Sequence, residues 1–191
     1  KEADIASVKL ETDLHFRATY EFKSSSLFEV LIVNMDEILT RQKQGQSIDL
    51  KRNNVIGSGP LQIEGEMPGV PYVLSPHGTG IFIVTVFNRG DKSSGDLVGG
   101  TIKPGKLSLE FPDGIGTIKC PTEYFSQSRL KCTNNAGPTG KGIELLKGAS
   151  LPFRIELTDS PEISEPFRTY SIKAEVEYTY ELRSSVHAVV N

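Results

Sequence analysis

The chain has 191 residues, 37% of them hydrophobic and 24% charged, and a formal net charge of −3. This is ordinary globular composition for one large domain, or one domain with an attached segment. It lacks the basic excess of a nucleic-acid binder, and no apolar run approaches the ~18 residues of a membrane-spanning helix.

The chain starts at Lys1 with no basic-then-apolar leader, so it is expected to be a processed protein or a fragment. The first patterned segment is LHFRATYEF. Leu14, Phe16, Ala18, Tyr20 and Phe22 alternate with His15, Arg17, Thr19 and Glu21, the period of two that marks a half-buried strand. SLFEVLIVNMDEILTRQKQ then carries two signals. FEVLIV suits a buried strand, whereas Phe28, Leu31, Ile32, Met35, Ile38 and Leu39 follow helical spacing. The segment is read as a strand running into a short helix, followed by a polar linker or long hairpin from Arg41 to Asn54.

Beyond residue 57 the strand signals repeat. LQIEGE starts at Leu61. GIFIVTVFN, ending at Asn88, is apolar on both faces, as in a strand covered on both sides. KLSLEF, LPFRIEL and VHAVV follow the same style. In YSIKAEVEYTYEL, Ile172, Ala174, Val176, Tyr178, Tyr180 and Leu182 share one face, and Lys173, Glu175, Glu177, Thr179 and Glu181 share the other. The 18 glycines and 11 prolines cluster between these runs. Short strands so punctuated argue for an antiparallel sandwich or barrel, with about seven or eight strands after residue 57. The expected fold is all-β: an antiparallel sandwich over 58–191, preceded by an extension over 1–57 of amphipathic strand, short helix and polar linker.

Cys120 and Cys132 lie close enough in KCPTEYFSQSRLKC to close a local loop. Without a CxxC or a nearby histidine they make a poor metal site. A disulfide is the preferred reading, unpaired core thiols the other. A disulfide would place the protein outside the cytosol.

The stretch from Pro60 to Asn88 has a strand, proline turns and an apolar strand that closes on Asn88-Arg89-Gly90. This pattern resembles the Ig-like, CARDB-like modules of archaeal and bacterial secreted surface proteins, and IKAEVEYTYEL looks like the last strands of such sandwiches. The resemblance is at the level of fold and leaves the first 57 residues outside it. It implies an Ig-like sandwich and an extracellular structural or adhesive role, by analogy.

Arg89-Gly90-Asp91 spells a cell-adhesion tripeptide. It is equally what a turn after a central strand requires, because Asn and Gly tolerate left-handed backbone. The turn is the preferred reading. Catalytic signals are missing. His15, His77 and His187 are far apart, no GxSxG elbow surrounds a serine, and no catalytic residue is assigned. GPTGKG fails as a phosphate loop, since Asn135 and Gly142 stand where Gly and Ser or Thr are needed. Calcium is the one cofactor weighed, at Asp91 and Asp96 or at Asp159, Glu162 and Glu165, against plain solvated loop charge. Tryptophan is absent, so a sugar platform would fall to Tyr72, Tyr124 or Phe125. No Asn-x-Ser/Thr sequon occurs.

What remains is the strand edges. An unpaired edge invites another strand. The apolar face of Leu14, Phe16, Ala18, Tyr20 and Phe22 could fold back internally or enter a neighbour by donor-strand exchange, and a contact that does not close makes a filament. The functional expectation is a non-catalytic extracellular structural subunit of a homo-oligomeric fibre or envelope layer. The alternative is a monomeric adhesion or carbohydrate-binding module with Arg89, Gly90 and Asp91 as its loop.

Overall fold

The computed structural model describes residues 10–46, 54–68, 79–90, 95–159, 163–165 and 167–190. In chain order the elements are β1 (Leu10–Val33), α1 (Met35–Lys43), β2 (Val55–Ile56), β3 (Leu61–Glu66), β4 (Gly80–Asn88) and β5 (Gly95–Leu97). After a turn of 3-10 helix at Val98–Gly100 come β6 (Thr101–Ile102), β7 (Leu107–Glu110), β8 (Thr117–Lys119), β9 (Phe125–Ser128), β10 (Lys131–Asn134), β11 (Ile143–Glu144), β12 (Phe153–Thr158) and β13 (Phe167–Val190). The fold is all-β and its sheets are antiparallel.

The larger sheet runs β2-β1-β13-β7-β10-β9, with β5 added to β13. The smaller runs β3-β4-β12-β8, and β6 pairs with β11. Alternating side chains from both sheets meet in one core. Phe28, Val30 and Ile32 of β1 and Ile172, Ala174 and Val176 of β13 face Leu61 and Ile63 of β3, Phe82, Val84 and Val86 of β4, and Ile155 and Leu157 of β12. The other face of β13 carries Lys173, Glu175 and Glu177 to solvent, with Lys23 beside Glu175 (3.1 Å) and Lys106 beside Glu177 (2.8 Å). GIFIVTVFN forms β4, which is central in its sheet between β3 and β12, but it is covered on one side and not on both: Phe82, Val84 and Val86 are buried, whereas Ile81 on the other face is exposed.

The strand-to-helix junction forms at Asn34. Its Oδ1 accepts the Asp36 N–H (3.0 Å), and its Nδ2 donates to the Ile163 carbonyl (3.0 Å). The cap satisfies one of the amides a helix start leaves open. Of the residues with helical spacing, Phe28, Leu31 and Ile32 belong to β1, and α1 buries Ile38 while Leu39 is exposed. The polar stretch after α1 lies partly outside the described residues. The boundary drawn at residue 57 falls between β2 and β3. Strands from either side of it share the larger sheet: β1 pairs with β13 along its whole length, from Leu10 opposite Val190 to Val33 opposite Phe167.

Cys120 and Cys132 are joined by a disulfide, with Cα atoms 6.1 Å apart, and both are buried. Cys120 follows β8 of the smaller sheet and Cys132 lies in β10 of the larger. The bond therefore ties one layer to the other. Gln127 repeats the tie: it accepts the Cys120 N–H (3.0 Å) and donates to the Ile118 carbonyl (2.8 Å). Replacing both cysteines with alanine is expected to lower unfolding free energy by about 3 kcal/mol. Urea denaturation of the variant, beside the parent with and without reductant, measures this; an unchanged midpoint would show that the loop is held by packing alone.

Candidate functional site

The outer part of the β1–β13 pair projects past the sandwich as a two-stranded ribbon. Residues directly opposite each other in an antiparallel pair point to the same face. One face therefore carries Leu14 opposite Val186, Phe16 opposite Ser184, Ala18 opposite Leu182, Tyr20 opposite Tyr180 and Phe22 opposite Tyr178. Further in, the same face becomes the core.

The cover ends at four aromatic rings. Tyr20 lies 5.8 Å from Phe22 and 6.1 Å from Tyr180, and Phe22 lies 5.6 Å from Tyr178. Glycines let the backbone of the surrounding loops approach these rings. A Cβ at Gly59 would press on Ser24, Tyr178 and Phe22, and one at Gly95 would press on Tyr180. The Tyr178 hydroxyl accepts the Leu61 N–H (3.2 Å) and hydrogen-bonds the Ser24 hydroxyl (3.0 Å), which links β13, β1 and the start of β3. Burial pushes the Tyr178 phenol above its ordinary pKa, opposed in part by the hydrogen bonds with Ser24 and Leu61. The group is therefore neutral in this link. Tyr178→Phe leaves the Leu61 amide and the Ser24 hydroxyl without it, and is expected to cost about 1–3 kcal/mol, read from the thermal or urea transition. A neutral result would mean that water replaces the phenol there.

Past these rings the apolar face is bare. Leu14 is 48% exposed, Phe16 56% and Val186 52%. Leu182 shares a face with Tyr178 and Tyr180 but is exposed too. Its alternation places it with the core residues of that strand, but the cover stops before reaching it. The opposite face is polar and internally paired. His187 Nδ1 is 2.9 Å from Asp13 Oδ1, Arg183 meets Glu181 at 2.5 Å, and the Thr179 hydroxyl donates to Glu21 (2.8 Å).

Among the described residues, the β1 edge of the ribbon is open from Asp13 to Lys23, and the β13 edge is open beyond Leu182. On the β1 side, β2 pairs only at Ser26 and Leu27. On the β13 side, β7 pairs at Lys173 to Val176 and β5 at Tyr180 to Leu182, and no described strand continues to Val190.

The Arg89-Gly90 turn closes β4. Asn88 holds it in place: its Nδ2 donates to Asp96 (2.8 Å) and its Oδ1 accepts the Gly90 N–H (3.1 Å). The Arg89 N–H donates to the Pro60 carbonyl (2.7 Å). The Arg89 guanidinium pairs with Glu64 at 2.6 Å and lies 4.4 Å from the Phe87 ring. A Cβ at Gly90 would collide with the Tyr180 hydroxyl. Gly90 is thus required by packing against the core strand, and Arg89 has two intramolecular contacts. Asp91 lies outside the described residues. Gly90→Ala is expected to destabilise the fold by about 1–3 kcal/mol through overpacking, and adding Tyr180→Phe should recover part of that loss. An additive double-mutant cycle in thermal unfolding would refute the contact.

The remaining sequence candidates do not converge. His15 and His187 lie on the exposed polar face of the ribbon, and His77 is outside the described residues. Asp96 accepts from Asn88 and from the Leu97 N–H (2.8 Å). Asp159 accepts from Thr158. Glu165 is held by two contacts to Arg168 (2.6 and 2.8 Å), a hydrogen-bonded pairing that lowers its carboxyl pKa; Glu162 is outside the described residues. Among the described residues no group of three or more His, Cys, Asp or Glu side chains is placed to hold a metal ion, and no helix is long and apolar enough to cross a membrane. Phe125 is buried against Phe153, ring centres 5.1 Å apart, so it offers no sugar platform, and Tyr124 packs on the same ring at 5.3 Å. Tyr72 is outside the described residues. Two hollows occur. An open polar cleft of about 440 Å³ has the Arg129–Asp113 ion pair in its wall, and a smaller apolar hollow of about 140 Å³ lies between Tyr124, Leu146, Leu151 and Phe153.

The sequence showed the apolar face of LHFRATYEF but not that Val186 and Leu182 extend it. Nor could it show which parts of the edges stay open among the described residues. The signal was present, since VHAVV is also a strand pattern, but alternation does not say which strands pair. Comparison of the chain with protein-family models, with curated proteins and with solved structures finds no match.

Proposed function

We propose that the protein is a non-catalytic structural subunit of an extracellular surface, a fibre or an envelope layer, that assembles by β-strand addition at its projecting ribbon. The observation that carries this reading is the ribbon itself, with one bare apolar face and, among the described residues, an open β1 edge and a β13 edge open beyond Leu182. A two-stranded ribbon is marginal alone in water. Contiguous exposed apolar surface marks a place of contact, and unpaired edges recruit strands unless charge, proline or a bulge blunts them. Because the ribbon has two edges, each copy can meet two neighbours, and an assembly that meets two neighbours can grow.

The N-terminal strand stays in its own molecule in this proposal. Donor-strand exchange would first have to break the ladder from Leu10–Val190 to Val33–Phe167, whereas edge addition leaves it whole. The Cys120–Cys132 bond supports an oxidising, extracellular location. The resemblance to Ig-like surface modules points the same way. The engagement of Arg89 with Glu64 and Phe87, and of Gly90 with Tyr180, weighs against an adhesion loop at that turn.

Light scattering and negative-stain electron microscopy of the intact chain over a concentration series test the proposal. Ordered fibres or sheets are expected. The double variant Leu14→Lys, Phe16→Lys should keep the parent melting temperature, because both side chains are exposed, and lose assembly. A parent chain that stays a monodisperse monomer at every concentration would overturn the reading.

A further inference from the structure

We infer that the open edge of β1 recognises a second copy of this chain: two β1 strands join antiparallel about a two-fold axis at Ala18, so that Thr12 to Ser24 of one copy run against Ser24 to Thr12 of the other. The inference rests on the assembly reading above and names its first contact.

The backbone fixes which residues can pair. The N–H and C=O of a strand residue point to the same side, and successive residues alternate. In β13 the Glu177 N–H donates to Lys106 on the β7 side (2.8 Å), so the odd-numbered residues of β13 face away from β1. Glu177 lies opposite Lys23, so odd-numbered residues of β1 face away from β13. Two contacts agree: the Glu29 N–H donates outward to Asn54 (3.2 Å), and a Cβ on Gly57 would strike the Ser25 carbonyl. The free edge is therefore the set Asp13, His15, Arg17, Thr19, Glu21 and Lys23. It stops where Gly57 and β2 cover Ser25 to Leu27.

Charge then selects a register. Centring the pair on Ala18 sets Asp13 against Lys23, His15 against Glu21, and Arg17 against Thr19, each twice by symmetry. No like charges meet, and every outward residue from Asp13 to Lys23 has a partner; Leu10 and Glu11, which would fall opposite Ser26 and Ser25, must turn aside where β2 and Gly57 of the other copy lie. Centring on Arg17 puts two arginines together and sets Asp13 against Glu21. Centring on Thr19 sets His15 against Lys23. Centring on His15 leaves Glu21 and Lys23 unpaired. The internal contacts are a hydrogen bond between Asp13 and His187 and an ion pair between Lys23 and Glu175; surface contacts of this kind contribute little.

Packing agrees with charge. A two-fold axis normal to the sheet keeps both apolar faces on one side. In the Ala18 register Phe16 lies beside Tyr20 of the other copy, and Leu14 beside its Phe22. The bare side chains of each ribbon thus meet the rings where the other sandwich ends. Ala18 at the axis is the smallest side chain on that face of β1 from Leu14 to Phe22, which suits the close approach of a two-fold.

Even-numbered residues form the non-hydrogen-bonded pairs of this joint, with Cα atoms about 4.5 Å apart, within the range a disulfide spans. The test uses the full chain, whose own cysteines are already joined. Ala18→Cys is expected to form a covalent dimer under mild oxidation, seen on a non-reducing gel, while His15→Cys stays monomeric. Arg17→Pro removes an outward N–H and leaves the β1–β13 ladder intact; it should weaken association about tenfold or more in sedimentation, with the melting temperature held. Cross-linking of His15→Cys but not Ala18→Cys, or no effect of Arg17→Pro, would overturn the inference. Fibres that form without an Ala18→Cys cross-link would sink this joint and leave the assembly reading standing. Cross-linked dimers that never grow would do the reverse.

Discussion

The fold depends on one ladder, the antiparallel pairing of β1 with β13. It joins residues more than a hundred positions apart, and closing so long a loop must be offset by many contacts made together. Both strands are long enough to do two jobs. Their inner halves supply Phe28, Val30, Ile32, Ile172, Ala174 and Val176 to the core. Their outer halves continue into solvent without a change of pattern. Because the side-chain period is two, a slip of one residue would turn the core set outward and Lys173, Glu175 and Glu177 inward. The core therefore fixes the register, and the ribbon inherits it.

The ribbon's base needs more than apolar contact. The two layers part there, and the cover of β3 and β4 gives way to loops. Polar groups finish the seam: Tyr178 joins Ser24 and Leu61, and Ser26 donates to the Ile63 carbonyl (2.9 Å). At the far edge of the larger sheet the Cys120–Cys132 bond and Gln127 do the same. The sandwich is thus held across its layers on both sides of the core, with the β1–β13 pair between solvent and seam. A buried polar link is favourable only if each member finds a partner, and Ser24, Tyr178 and Leu61 meet that condition as a set.

Much of the fold was legible in the sequence because alternation reports burial of one face directly. The patterns around Ile172 and Phe82 gave strands where strands lie, and FEVLIV followed by NMDEIL gave a strand entering a helix, fixed in the structure by the Asn34 cap. Shorter pieces escaped. β5, β8 and β11 have two or three residues each, too few for a period to show. The candidate site was half legible. Leu14, Phe16 and Phe22 share one pattern, yet Phe22 packs against Tyr178 while Phe16 is bare. Alternation says which side of a strand is apolar; it cannot say where the covering layer ends. The same limit misplaced Leu182. The Arg89-Gly90 turn shows the converse, a familiar tripeptide whose glycine is demanded by a ring, Tyr180, far away in sequence.

A sheet that outruns its cover must do something with the surplus. Natural edges are commonly shortened or blunted with lysine and proline. Here β1 keeps aromatic and aliphatic residues on one side to Leu14, and from Leu14 to Phe22 its length has neither proline nor glycine. The polar side carries alternating signs, Asp13, Arg17, Glu21 and Lys23, where a solubilising edge would carry one. Mixed charge along an open edge repels an antiparallel neighbour in some registers and attracts it in others, and that is a means of choosing a register. The bare face supplies the attraction and the charges supply the choice. The ribbon is accordingly better explained as a surface shaped for another strand than as the untrimmed end of a sheet.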